Sequence, residues 1–139
     1  MRGVLVGAAI AASMLTGVTA PASAHHSGAM FDRTKRVTIV GTVKEFQYTN
    51  PHSWLQVVGA GPDGKTAEWA FEAEGPSTLL RAGIKAKTFK PGDKVTVVGS
   101  PMRDGRPAGN LISVTMADGS VISPRPAPAT PAPGAAGPT

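Results

Sequence analysis

No cysteine occurs anywhere in the 139 residues. The chain therefore has no disulfide, no thiolate nucleophile and no lipid-modified N-terminal cysteine, and its stability must come from its core. Aromatic residues are scarce, at two Trp, one Tyr and four Phe. A small domain with so few large side chains needs them to fill its interior before any remain for a ligand platform. Acidic residues number 9, and most stand alone. Asp63, Asp93, Asp104 and Asp118 sit beside Gly or Lys in turn sequences and read as turn formers, not as paired carboxylates for acid–base hydrolysis. Nucleophile elbow, P-loop, dinucleotide fingerprint and zinc-protease helix are all missing. The one long apolar run, Val4 to Val18, is short for a bilayer span.

That run instead has the form of an export signal. Arg2 precedes it, and Ala22 and Ala24 supply the small residues a signal peptidase needs, so residues 1–24 are expected to be a signal peptide cut after Ala24. The mature chain would be His25 to Thr139, 115 residues with a net charge of +4. That is a one-domain length. The expectation is a periplasmic or secreted protein that is not an integral membrane protein. Its surplus of positive charge is thinly spread. Lys85, Lys87, Lys90 and Lys94 cluster too weakly for a nucleic-acid footprint, so no nucleic acid is expected as a partner.

Between the ends the dominant signal is alternation with period two, which marks half-buried strands. Val37, Ile39, Gly41 and Val43 share one parity, whereas Phe46 and Tyr48 share the other, so a bulge is expected near Lys44 and Glu45. Ser53 to Val58 and Thr66 to Ala73 should form an antiparallel hairpin across Pro62-Asp63-Gly64. In the second of these, Ala67, Trp69, Phe71 and Ala73 face inward, which leaves Glu68, Glu72 and Glu74 for the solvent face. Gly75-Pro76-Ser77 opens a short helix with Leu79, Leu80 and Ile84 apolar and Gly83 at its end. Val95, Val97 and Val98 follow the turn Lys90-Pro91-Gly92-Asp93. A fifth run places Ile112, Val114 and Met116 on one face, and Asp118-Gly119 turns into Val121 and Ile122.

Three strands, a helix and two or three more strands is the order of a small OB-like barrel. The prediction is an all-β fold, a five- to six-stranded antiparallel β-barrel over residues 37–122, with one short helix between strands 3 and 4. Residues 25–36 are an N-terminal arm, which Phe31 could pin to the barrel. From Ser123 the sequence SPRPAPATPAPGAAGPT has no large apolar side chain, so residues 123–139 read as a disordered, Pro/Ala-rich tail.

The chemistry concentrates in three histidines. After the expected cut, His25 would carry a free amine and an imidazole on one residue. An α-amine with pKa near ~8 is partly deprotonated at neutral pH and can close a chelate ring around Cu(II) with that imidazole. His26 adds a second ring, and His52, in the turn Tyr48-Thr-Asn-Pro-His-Ser-Trp54, a third. Such a nitrogen-rich set suits copper, and less selectively nickel or zinc. Between arm and turn, Ser27 to Arg36 could span on the order of 30 Å when extended, enough for the arm to lie back toward His52.

The segments HHSGAMFD, RVTIVGTVKEFQYTNPHSW, EWAFEAEGPSTLLRAGI and FKPGDKVTVVG together resemble the DUF6152 family of exported bacterial proteins of unknown function. The resemblance runs from the His-His-Ser start through the last strand and leaves out the signal and the tail. His25, His26, Ser27, Phe31, Asp32, Asn50, Pro51 and His52 match the family pattern. The chain departs from it at Ala29 or Met30, where many members have an aromatic residue, and near Phe46 to Tyr48, where many have a Trp. The likeness brings no activity, but it implies that the His pair and Asn-Pro-His form one recurring layout.

The resulting expectation is an exported binding module, leaning away from an enzyme and with no catalytic residues assigned. Its metal ligands would be His25, His26 and His52 and its ion copper. The alternative is a metal-free barrel that binds a small molecule, glycan or partner protein through a face containing Tyr48, Asn50, Trp54 and Trp69. A copper-centred enzyme is a third option.

Overall fold

The computed structural model describes residues 27–125. In chain order these form a 3-10 turn at Ser27–Met30, strands β1 (Val37–Gln47), β2 (Ser53–Ala60) and β3 (Thr66–Ala73), helix α1 (Pro76–Arg81), then β4 (Lys94–Pro101), β5 (Ala108–Met116) and β6 (Val121–Ile122). The expected signal, His25, His26 and the tail from residue 126 lie outside the described residues.

The strands run β3-β2-β1-β4-β5-β6 across the sheet, and a further β3–β5 pairing closes the first five into a barrel, with β6 as an outer strand on β5. The OB-like barrel holds, but not as a purely antiparallel one. β1–β2, β2–β3, β1–β4 and β4–β5 are antiparallel, whereas the closing pair is parallel, with Ala70, Phe71 and Glu72 opposite Ala108, Gly109 and Asn110. A ring of five strands cannot alternate direction at every seam, because five is odd. The helix-containing crossover between β3 and β4 makes the parallel seam reachable.

β1 must serve two partners, and it does so by bending. Val43 pairs with Val57 and Glu45 with Gln56, which leaves Lys44 unpaired as a bulge at the position where the apolar parity switches. The switch keeps Val37, Ile39 and Val43 buried before it and packs Phe46 against the core after it. Two pairs before the Val43–Val57 pair that borders the bulge, Gly41 faces Gly59 in register, and a Cβ on either would collide with the partner strand's backbone.

β5 carries a second bulge that the alternation does not reveal. Val98 pairs with Ser113 and Gly99 with Leu111, so Ile112 is the extra residue. The expected face of Ile112, Val114 and Met116 is corrected accordingly: Leu111 and Val114 are buried, and Ile112 is only partly so.

The core gathers Ile39, Leu55, Val57, Phe71, Leu79 and Val97, all 0 % exposed, with Trp69 stacked on Phe71. Each such side chain stabilises the fold by about 1.5–3 kcal/mol relative to exposure. Leu79 of α1 and Ile84 just after it join this core, and Gly83, with a φ of 80°, takes the left-handed conformation that ends the helix. Among the described residues no helix is long and apolar enough to cross a membrane.

The arm folds back. Phe31 forms a bridge with Met102 and is 1 % exposed, the Asp32 amide donates to the Pro101 carbonyl at 2.8 Å, and the Arg103 amide donates to Met30 at 2.9 Å. At the other end Ser123 donates its hydroxyl to the Ile112 carbonyl at 2.7 Å, so the first residues of the Pro/Ala-rich segment also pack on the barrel.

Candidate functional site

His52 occupies the turn between β1 and β2, in which the Asn50–Pro51 peptide is cis. The turn is tied to itself and to β3. Thr49 donates its hydroxyl to the His52 carbonyl at 2.9 Å, and the Ser53 amide donates to the Glu74 carbonyl at 3.3 Å. These contacts set the imidazole over the end of β3 with 37 % of its side chain exposed.

Beneath the ring is Glu72. The strand alternation assigned it to the solvent face, and that reading is corrected: its side chain is 4 % exposed. It does point outward from the barrel, opposite Trp54 on β2 and Asn110 on β5. That outer surface is covered at this end, because the arm, the turn and the start of the tail converge over it. Glu72 Oε1 lies 3.3 Å from His52 Nδ1, and the Ala73 carbonyl oxygen is also 3.3 Å from the same nitrogen.

The result is a cleft of about 160 Å³ lined by Gly28, Arg33, His52, Glu72, Ala73, Glu74, Asn110 and Arg125. Gly28 is the arm's contribution. A Cβ there would come within 2.7 Å of the Arg33 guanidinium, so glycine lets that side chain lie against the arm. Arg125 pairs with Glu74 across the opening. With 62 % of the Arg125 side chain exposed, that ion pair contributes about 1 kcal/mol or less. The wall thus carries two guanidinium groups, two carboxylates and one imidazole.

Just beyond the cleft, Asp32 shapes the arm. Its carboxylate accepts from the Thr34 hydroxyl at 2.6 Å and the Thr34 amide at 3.1 Å, closing a turn that redirects the chain into β1. The Thr34 hydroxyl does most to hold the Asp32 pKa below 3.8. The Thr34 amide and Lys35 act in the same direction, and desolvation opposes them.

Of the residues singled out from sequence, His52 lines the cleft and Trp54 is beside it, half-buried and in register with Glu72. Asn50 is exposed in the same turn. Tyr48 belongs to the scaffold: its hydroxyl lies 3.0 Å from the Pro76 carbonyl oxygen and 3.1 Å from that of Ile84, tying β1 to both ends of the α1 segment. Trp69 is 8 % exposed in the core, with its edge on a separate cleft of about 470 Å³ between the β2–β3 turn and Pro107. Tyr48, Trp54 and Trp69 are therefore not brought onto one surface. His25 and His26 lie outside the described residues. Among the described residues no group of three His, Asp or Glu side chains gathers as metal ligands.

Glu72 is one of the cleft residues that sequence reasoning missed, and a signal for it existed. A hairpin centred on Asp63 pairs Ser53 with Ala73, which puts Glu72 one pair from the His52 turn. Arg33, Asn110 and Arg125 had no such signal, since their arrival depends on barrel closure and on the paths of both ends of the chain.

The comparisons with known proteins add a family but no activity. A model described as a family of unknown function, DUF6152, matches residues 12–111. The match begins inside the segment read as an export signal and ends at Leu111, short of the last two strands' pairing. No curated protein and no solved structure matches the chain.

Proposed function

The chain belongs to the DUF6152 family, and from that premise we propose that it is an exported binding module for a late first-row metal ion, copper above all. The ligands in this reading are the amine and imidazole of His25, with His26 as a second imidazole of the same arm, and the imidazole of His52. Processing after Ala24 creates the amine. Amine and imidazole nitrogens are borderline donors suited to Cu(II), and for a fixed nitrogen set divalent copper binds more tightly than nickel or zinc.

The observation that supports this reading is that Gly28 and His52 line one cleft. His26 is two residues from Gly28 and His25 three, and each residue spans at most about 3.6 Å. Both histidines are therefore joined by three residues or fewer to a residue of the cleft wall. Size favours an ion over a larger ligand. The cleft's volume of about 160 Å³ is room for an ion and a few waters at about 30 Å³ each, whereas pockets for drug-sized ligands are about 300–1,000 Å³.

A second reading is a metal-free module for a small, mainly apolar molecule. The cleft of about 470 Å³ walled by Pro62, Lys65, Ala67, Trp69 and Pro107 favours it. The two readings separate in one experiment. Cu(II) is titrated into the processed chain beginning at His25 and into the same chain with one extra Ala ahead of it. The metal reading expects the extension to weaken binding by at least tenfold and to alter the visible spectrum. Equal affinities and spectra would reject the chelate, and a Trp fluorescence response to small apolar ligands but not to Cu(II) would favour the Trp69 cleft.

A further inference from the structure

A carboxylate taken out of water needs a cation or hydrogen-bond donors in exchange, since burying an ionised group without them is costly. The Glu72 side chain is 4 % exposed and lines the cleft. Among the described residues no Lys or Arg pairs with it, and no N–H or hydroxyl donates to its carboxylate. His52 Nδ1 lies 3.3 Å from Oε1, but the hydrogen bond of that nitrogen is made with the Ala73 carbonyl oxygen. Glu72 is nonetheless firmly placed, because the Asn110 side-chain amide donates to its backbone carbonyl at 3.2 Å across the parallel seam.

The opposite charge stands in the same wall. Arg33 lines the cleft with its guanidinium laid against Gly28. All nine carboxylate side chains of the chain lie among the described residues, and none pairs with Arg33. The buried Phe31 and the Asp32–Thr34 turn on either side of it fix where the arm presents this residue. The other two charges of the wall, Arg125 and Glu74, satisfy each other. One positive and one negative group are thus left facing a shared space of about 160 Å³.

From this arrangement we infer that the cleft is a binding site for a small zwitterion, an amino acid of glycine or alanine size. Its carboxylate is received by the Arg33 guanidinium and its ammonium by Glu72. A simple anion would gain Arg33 but face the Glu72 carboxylate, and a simple cation would gain Glu72 but face Arg33, whereas a molecule carrying both charges satisfies both walls. The volume sets the size, with room for about five water-sized groups at roughly 30 Å³ each. The inference goes beyond the metal reading and does not rest on it, since neither Arg33 nor Glu72 is a ligand there.

The test uses the 15N-labelled processed chain, stripped of metal, so that success or failure of Cu(II) binding does not enter. Glycine is titrated in while amide and Arg Nε–H resonances are followed, and acetate and methylamine, each carrying one of the two charges, are titrated separately. Glycine should shift the Gly28, Arg33 and Ala73 resonances saturably and bind about tenfold or more tightly than either single-charge probe. Glu72→Gln and Arg33→Gln, each checked for a native spectrum, should both weaken glycine binding about tenfold or more. Acetate should bind Glu72→Gln at least as tightly as native protein and lose its binding in Arg33→Gln. The absence of a saturable glycine response would overturn the inference, as would glycine affinities unchanged in both variants. Acetate binding native protein as tightly as glycine would also overturn it, because Glu72 would then contribute nothing.

Discussion

Phe31 of the arm pairs with Met102 at the end of β4, and its ring is 1 % exposed. That one contact converts a short polar segment into part of the barrel, because burying the ring stabilises the docked arm by about 1.5–3 kcal/mol. Phe31→Ala should destabilise the protein by about 3–5 kcal/mol. It should also make the segment before Val37 protease-sensitive while the strands keep their circular dichroism, and weaken Cu(II) binding through loss of the tethered arm. Denaturant unfolding and limited proteolysis check the first two effects, and titration checks the third.

Tyr48 should behave differently from the cleft residues, although it is in the same stretch of sequence as His52. Its hydroxyl ties β1 to the carbonyls of Pro76 and Ile84, so Tyr48→Phe should cost about 1 kcal/mol in unfolding free energy. Cu(II) affinity should not change. A loss of affinity with stability intact would place Tyr48 in the binding surface.

The arm should loosen in acid. The Asp32 pKa is held below 3.8 first by the Thr34 hydroxyl. A carboxylate whose pKa is lower in the folded than in the unfolded state stabilises the fold above its unfolded pKa, and that contribution disappears as pH falls through the folded value. The Asp32–Thr34 turn should thus be intact at pH 5 and open progressively below about pH 4, read from the Thr34 amide resonance. Asp32→Asn should remove this transition, since it has no proton to take up. An Asp32→Asn protein that still shows it would assign the acid step elsewhere.

The bulge in β1 makes an unequal pair of predictions at one position. Lys44 is the unpaired residue, and its ammonium reaches Glu68 at 2.6 Å with both side chains about half exposed. Lys44→Ala should therefore change stability by about 1 kcal/mol or less. Deleting Lys44 should instead abolish cooperative folding, because a one-residue slip turns Phe46 and its neighbours to the opposite face.

That bulge was legible before any coordinates, since the apolar parity changes visibly between Val43 and Phe46. The hairpin of β2 and β3 and the short helix opened by Pro76 were equally readable, their turn residues being local. The bulge at Ile112 left no trace, because Ile112, Val114 and Met116 alternate without a break and the interruption is set by register against β4. The parallel seam was hidden for a related reason: direction at closure follows from the number of strands in the ring, which no single segment encodes. In the site, His52 announced itself by composition. Glu72 was assigned to solvent because alternation distinguishes the inside of a barrel from its outside, and cannot tell which outside positions the chain's own ends will cover.

The central claim is that the imidazole of a turn before β2 and the nitrogens of a processed N-terminus hold one copper ion. Pulsed EPR on Cu(II) bound to the processed chain counts coordinated imidazoles through their remote ring nitrogens. The account predicts that His52→Ala loses one imidazole from that count and binds at least tenfold more weakly, with the barrel still folded. Identical imidazole counts and affinities in the native and His52→Ala proteins would contradict it.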